Sequence, residues 1–205
     1  MKLWTKNKVV SLAMQFARKN MHNQNFQKLI KALEAERIKY FNRSIEKNLP
    51  NKLEHTMQIT SFGGCGTTML YRYLSSQGID VPNSIDDWHP WKHILTPPDN
   101  NKVQKGFRAV YVYADPLNAV LSVFRRNFQH ELMRRMPDSS EGWNFNWDLS
   151  DFLKEQKDFF KLENQFLNWT SAKREYPILL IRFETMWDYL PEFMNYLGLS
   201  ENCIS

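Results

Sequence analysis

The sequence predicts an α/β fold, a parallel β-sheet flanked by helices, preceded by a helical N-terminal arm. Three observations predict it. Short strand-like runs alternate with helical segments from residue 56 onward. The first run leads straight into Gly63-Gly64-Cys65-Gly66 and then a helical pattern. Charge is also unevenly placed: residues 1–55 carry 12 basic and 4 acidic side chains, against 15 and 18 in the remainder. The expected organisation is a basic helical arm, residues 1–55, and an α/β domain, residues 56–205.

Within the arm, Phe26, Leu29, Ile30, Leu33, Arg37, Tyr40, Phe41 and Ile45 fall near a helical period, with Lys and Glu between them. An earlier, shorter helix holds Leu3, Trp4, Val9, Val10, Leu12 and Phe16, and the Asn-rich stretch 20–25 separates the two. Pro50 closes the second helix. Residues 57–62 then predict a strand, and residues 67–76 a helix ended by Gly78 and Pro82. Residues 83–105, rich in Pro, Asn, Asp, His and Trp without a period, predict an irregular loop.

A second strand is expected over residues 107–113. Pro116 suits the first turn of a helix running to about residue 135. After a polar, aromatic loop, another helix covers residues 151 to about 172. Residues 177–183 form a nearly continuous apolar run, the pattern of a strand buried on both faces. A last helix spans 184–197, capped by Gly198.

Composition narrows the class. Hydrophobic residues make up 42% and aromatic residues 14%, which argues against a disordered chain. No run approaches the roughly 18 apolar residues that span a bilayer. The opening patch is broken by Gln15 and Arg18, too weak for a secretory signal, although an amphipathic targeting segment stays open. Cys65 and Cys203 are too few for a disulfide scaffold and fit a reducing compartment, so a soluble cytoplasmic protein is expected. The pattern matches for glycosylation at Asn42 and Asn168 carry no weight without a secretory context. The basic arm suits an anionic surface or an acidic protein partner, with a solvated helix face as the plainer reading; nucleic acid is not expected.

Strand, glycine loop, then helix is a geometry that binds phosphate, because N–H groups at the helix start point outward and the helix dipole favours an anion. Thr67 and Thr68 add two hydroxyls at the first turn. The loop is not a nucleotide-kinase P-loop: Gly66 is followed by two threonines, with no Lys to reach the phosphates.

Ser61-Phe62-Gly63-Gly64-Cys65-Gly66-Thr67-Thr68-Met69-Leu70 resembles the 5′-phosphosulfate loop of sulfotransferases that use 3′-phosphoadenosine 5′-phosphosulfate (PAPS). Gly64 stands where that family carries Lys or Arg. Downstream, Tyr111-Val112-Tyr113-Ala114-Asp115-Pro116 and then Ser122 resemble the family's 3′-phosphate segment, with Ala114 in place of its Arg. Leu179-Leu180-Ile181-Arg182-Phe183-Glu184 and the helix to Gly198 are similar to the family's late strand and helix. The matches keep the family's order across residues 56–199.

The resemblance implies a P-loop NTPase-like sulfotransferase fold and PAPS as sulfate donor. It implies contacts to the donor from Gly63, Gly64, Cys65, Gly66, Thr67, Thr68 and Met69. Ser122, Arg125 and Arg126 would hold the 3′-phosphate, and Phe183 would lie near the adenine. No metal is required. The acceptor is a hydroxyl or amine on a glycan, lipid or small alcohol. The alternative is a catalytically degenerate binding protein of the same fold, because both signature cations are missing.

A base is expected in the loop 83–105, where Trp88-His89-Pro90-Trp91-Lys92-His93 lies. His93 is the first choice, His89 the second, and Asp86 and Asp87 are weaker. Lys92 is a candidate for the cation absent at Gly64. His89 and His93 are four apart, but Pro90 argues against a metal-binding helix. Trp143, Phe145 and Trp147 are candidates for stacking on an acceptor, with packing the plainer role. Cys65 is a further candidate for oxidation.

Overall fold

A computed structural model describes residue 28 and residues 55–79, 90–129, 132–133 and 147–199. The chain divides into two compact units, Met1–Leu49 and Pro50–Ser205. In the first, Lys28 is helical; the rest of the expected arm helices lies outside the described residues. All strands and helices below belong to the second unit.

Among the described residues, three strands form a parallel sheet in the order β1 (Met57–Ser61), β2 (Arg108–Tyr113) and β3 (Ile178–Arg182). The register sets Ser61 beside Val112 and Tyr113 beside Arg182, so all three strands end at one edge. The central strand is buried on both faces, as its RAVYVY sequence suits. Val110 and Val112 pack with Ile59, Leu70, Leu74 and Val123, whereas Ala109 and Tyr111 pack with Phe107, Trp169 and Tyr176. Since side chains alternate along a strand, these two clusters cover opposite faces of the sheet. Helices therefore flank both faces.

Helix α1 (Thr67–Ser76) begins and ends where its sequence predicts. Its apolar stripe, Leu70, Tyr71 and Leu74, is buried, and the Tyr71 hydroxyl donates to the carbonyl of Ile59 at 2.7 Å. Each buried Leu contributes about 2 kcal/mol. Gly78, at φ 74°, closes the helix: its N–H reaches the Ser75 carbonyl, and Ile79 N–H reaches Leu74. Helix α2 (Pro116–Arg125) carries Pro at its first turn, and the Asp115 carboxylate accepts the N–H of Asn118 at 3.0 Å.

Several boundaries depart from the sequence expectation. Helix α2 stops at Arg125, not near residue 135, because Asn127 adopts φ 52° and the N–H groups of Asn127 and Phe128 turn back to Phe124 and Val123. Asn in the left-handed region is the other residue that closes helices this way. Gln129, Leu132 and Met133 are helical again, and residues 134–135 lie outside the described residues.

The helix expected over 151–172 is two, α3 (Leu149–Lys154) and α4 (Leu162–Ser171). Gln156 and Lys161 take positive φ between them, and the Asp158 carboxylate accepts the N–H groups of Leu162 and Glu163. Strand β3 is not buried on both faces: among the described residues it pairs only with β2, and Leu180 is 41% exposed. The expected final helix begins as a 3₁₀ segment, Phe183–Tyr189, and becomes α5 (Leu190–Tyr196) before Gly198 at φ 77°. The loop expected over 83–105 contains two 3₁₀ turns, Pro90–His93 and Asn100–Lys102. No helix among the described residues is long and apolar enough to cross a membrane.

Candidate functional site

Because the three strands run parallel, the segments leaving their ends meet at one edge, the usual ligand-binding edge of open α/β sheets. Residues 62–66 leave β1, Ala114-Asp115 leave β2, and Phe183 follows β3. The loop after β1 adopts positive φ at Gly63 (125°), Gly64 (81°) and Gly66 (68°). That path needs glycine on conformational grounds and on space. A Cβ at Gly64 would stand 2.8 Å from the Ala119 carbonyl oxygen of α2, and one at Gly66 would stand 2.1 Å from the Phe183 ring. Gly64 therefore lets the loop lie against α2, and no side chain, cationic or otherwise, fits there without movement.

Two cavities adjoin at this loop. The larger, about 1210 Å³, opens between α1 and α2 and is lined by Gly64, Gly66, Thr68, Ser122, Arg125 and Phe183, among others. The smaller, about 270 Å³, shares Gly64, Gly66 and Thr68 and adds Gly63 and His93. Arg126 lines both. A third cavity, about 560 Å³, is walled by Phe62, Tyr111, Tyr113, Phe152 and Phe166. None of the loop's glycines lines it.

The two threonines divide roles. Thr67 is buried, and its hydroxyl is hydrogen-bonded to that of Ser61 at the end of β1. Its side chain holds the loop to the strand. Thr68 faces both cavities, and the Lys92 Nζ donates to its Oγ1 at 3.0 Å. An oxygen that accepts from Lys92 directs its own proton elsewhere. Lys92 is 2% exposed and sits 5.6 Å from the centre of the Tyr71 ring. A buried cation thus reaches the first turn of α1 from a segment far along the chain.

His93 is buried beside Lys92, and its Nδ1 lies 2.8 Å from the Ser61 carbonyl oxygen. A carbonyl only accepts, so Nδ1 carries the proton and Nε2 is the basic nitrogen of the neutral ring. The 3₁₀ turn Pro90–His93 packs on β1, which brings both side chains to the loop. His89, Asp86, Asp87, Trp88, Trp143, Phe145 and Cys203 lie outside the described residues.

The remaining predicted residues separate into those at the cavity and those turned from it. Met69, 43% exposed, and Ser122 line the large cavity. Arg126 Nε donates to the Ser122 carbonyl at 3.1 Å, and its guanidinium stands over the Phe128 ring. Phe183 lies across Gly66 and forms part of the wall. Trp147 also lines this cavity while packing edge-on against Phe159. Cys65 is turned into the protein: burial pushes its thiol up to about 12, and its Sγ donates to the Gly63 carbonyl. A buried thiol at that value is unreactive, so the oxidation expectation is not supported.

Among the cavity's lining residues, one cation was not singled out from the sequence. Arg72 lies one turn beyond Thr68 on α1 and lines the large cavity, as does Arg125. The signal was present, since positions four apart share a helix face. Neither Arg72 nor Arg125 has a side-chain hydrogen bond or ion pair among the described residues. The two carboxylates nearby are already engaged. Asp148 caps α3, and Glu184 accepts the Asp115 N–H at 2.8 Å and pairs with Arg182. No group of three or more His, Cys, Asp or Glu side chains among the described residues is arranged to hold a metal ion.

No family model, curated protein or solved structure matches this chain.

Proposed function

We propose that the chain is a sulfotransferase of the P-loop-like fold. It would move a sulfuryl group from PAPS to a hydroxyl or amine of an acceptor. The observation that carries this reading is the placement of Lys92 and His93 at the glycine loop. The buried Lys92 bonds to Thr68 where the loop's own cation is missing, and His93 lines the adjoining cavity with Nε2 as its basic nitrogen.

On this reading the loop N–H groups and Thr68 hold the 5′-phosphosulfate at the start of α1. Ser122, Arg125 and Arg126 hold the 3′-phosphate, and Phe183 and Trp147 wall the base. The acceptor enters the smaller cavity. Its oxygen or nitrogen forms a bond to sulfur as the bond from sulfur to the bridging phosphosulfate oxygen breaks. The acceptor proton passes to His93 Nε2, and 3′,5′-adenosine bisphosphate leaves. Positive charge near the bridging oxygen, from Lys92 through Thr68, stabilises the negative charge that develops there. Aligning the two reactants accounts for the rest of the rate.

Labelled PAPS offered with a panel of phenols, sugars and lipid alcohols tests the reading. His93→Ala should lower transfer at least 100-fold while donor binding persists, in keeping with the loss of a general base. Transfer unchanged by that substitution removes His93 from the mechanism. Tight donor binding with no transfer to any acceptor class would favour the alternative, a binding protein that keeps the fold without the reaction.

A further inference from the structure

The cavity of about 560 Å³ stands apart from the proposed reaction: none of Thr68, Lys92, His93 or the loop glycines lines it. Its size is that of a small-molecule site, and its walls are mostly rings. Phe62 and Phe152 are buried, Tyr113 is half-buried, and Phe166 is 39% exposed. Tyr113 and Phe166 meet edge to face with ring centres 5.4 Å apart, and Tyr111 stacks on Tyr113 at 6.5 Å. A flat apolar ligand would extend this series of ring contacts.

The polar groups that line the cavity say what such a ligand carries. Two of the carboxylates are spent on backbone N–H groups: Asp115 accepts from Asn118, and Asp158 from Leu162 and Glu163. Arg182 is paired with Glu184. Two donors are not spent. Among the described residues the Tyr113 hydroxyl has no hydrogen-bond partner and Lys157 has no carboxylate partner. Lys157 also sits in a fixed segment. Gln156 and Lys161, on either side of it, hold φ of 50° and 56° without being glycine, and Phe159 and Phe160 are buried between them. The Lys157 Nζ is 5.0 Å from the centre of the Phe159 ring. Backbone that its surroundings hold in a sparsely populated region marks a place where position matters. Against these donors stands one unpaired carboxylate, that of the exposed Glu163.

We propose that this cavity binds a flat aromatic carboxylate, its rings against Tyr113 and Phe166 and its carboxylate on Lys157 and the Tyr113 hydroxyl. The reaction proposed above transfers to a hydroxyl or amine, so a carboxylate that has neither is a ligand of this site and not the acceptor.

Calorimetric titration of the full chain with 2-naphthoate and with the neutral 2-naphthamide tests this. Wild type should bind 2-naphthoate about tenfold more tightly than the amide. Lys157→Gln should weaken 2-naphthoate about fivefold and leave the amide within about twofold, whereas Lys157→Arg should keep most of the affinity. Glu163→Gln removes the opposing charge and should tighten 2-naphthoate about twofold. Phe166→Ala should weaken both ligands alike, because it removes a ring and no charge. All three side chains are exposed, so the variants should keep the wild-type unfolding midpoint. Folded wild-type protein that does not bind 2-naphthoate, or binding that Lys157→Gln and Phe166→Ala leave unchanged, overturns the site. An amide bound as tightly as the carboxylate overturns the assigned ligand class. None of these outcomes touches the nucleotide reading, which rests on the other two cavities.

Discussion

Gly64 shows how one residue decides where the charge of this site can sit. Its φ of 81° is costly for any L side chain, and a Cβ would meet the Ala119 carbonyl oxygen at 2.8 Å. Gly64→Ala should destabilise the fold by about 1–3 kcal/mol in denaturant unfolding. Gly64→Lys, which restores a cation to the sequence motif, should be at least as destabilising and should not tighten anion binding. A lysine variant as stable as wild type would show that the loop does not lie against α2. Lys92 tests the compensating side. Lys92→Met keeps the buried aliphatic stem and removes Nζ, so it should weaken 3′,5′-adenosine bisphosphate severalfold while the fold survives. The need for glycines and a first-turn hydroxyl was legible in the sequence. How the two threonines divide was not: both line the smaller cavity and Thr68 alone also lines the larger, while Ser61 and Lys92 engage their hydroxyls through contacts formed only after folding.

The elements are held at the binding edge by polar ties between strand ends. Glu184, just after β3, accepts the Asp115 N–H just after β2 and pairs with Arg182. Partial burial works against its charge, but those hydrogen bonds and the Arg182 guanidinium together hold its carboxyl below the ordinary value. A carboxyl with a lowered native value stabilises the fold above its unfolded-state value, and that contribution is lost as the pH falls through the native one. The tie is partly exposed, so its worth is below about 1 kcal/mol. Glu184→Gln should accordingly be less stable than wild type at neutral pH, and the gap should close in acid; a gap that widens on acidification contradicts the tie. The order of elements, and the termini of α1, could be read from Gly, Pro and apolar spacing. The early stop of α2 and the break before α4 could not. Asn127 and Asp158 end or cap helices only when their backbone or carboxylate turns toward a neighbour's N–H or C=O, and both sit in stretches of good helix formers. The exposure of β3 was hidden for another reason: an apolar run states that a strand can be buried, not whether a fourth strand lies beside it.

Across the α/β unit, parallel strands bring every chemically useful segment to one edge, and the loop after β1 is where they meet. The strand, loop and helix that build this edge are local in sequence, which is why their arrangement was legible. The charges near it, Lys92, Arg72 and Arg125, come from the 3₁₀ turn before residue 94, the second turn of α1 and the end of α2, so only the fold assembles them. The nucleotide proposed for this edge carries phosphates at both the 3′ and 5′ positions. The most direct measurement is a calorimetric titration of the purified, folded chain with 3′,5′-adenosine bisphosphate, set against 5′-AMP and ATP with Mg²⁺. Micromolar binding of the bisphosphate, with both controls at least tenfold weaker, is the expected result. Binding of ATP as tight as the bisphosphate, or no binding at all, would contradict it.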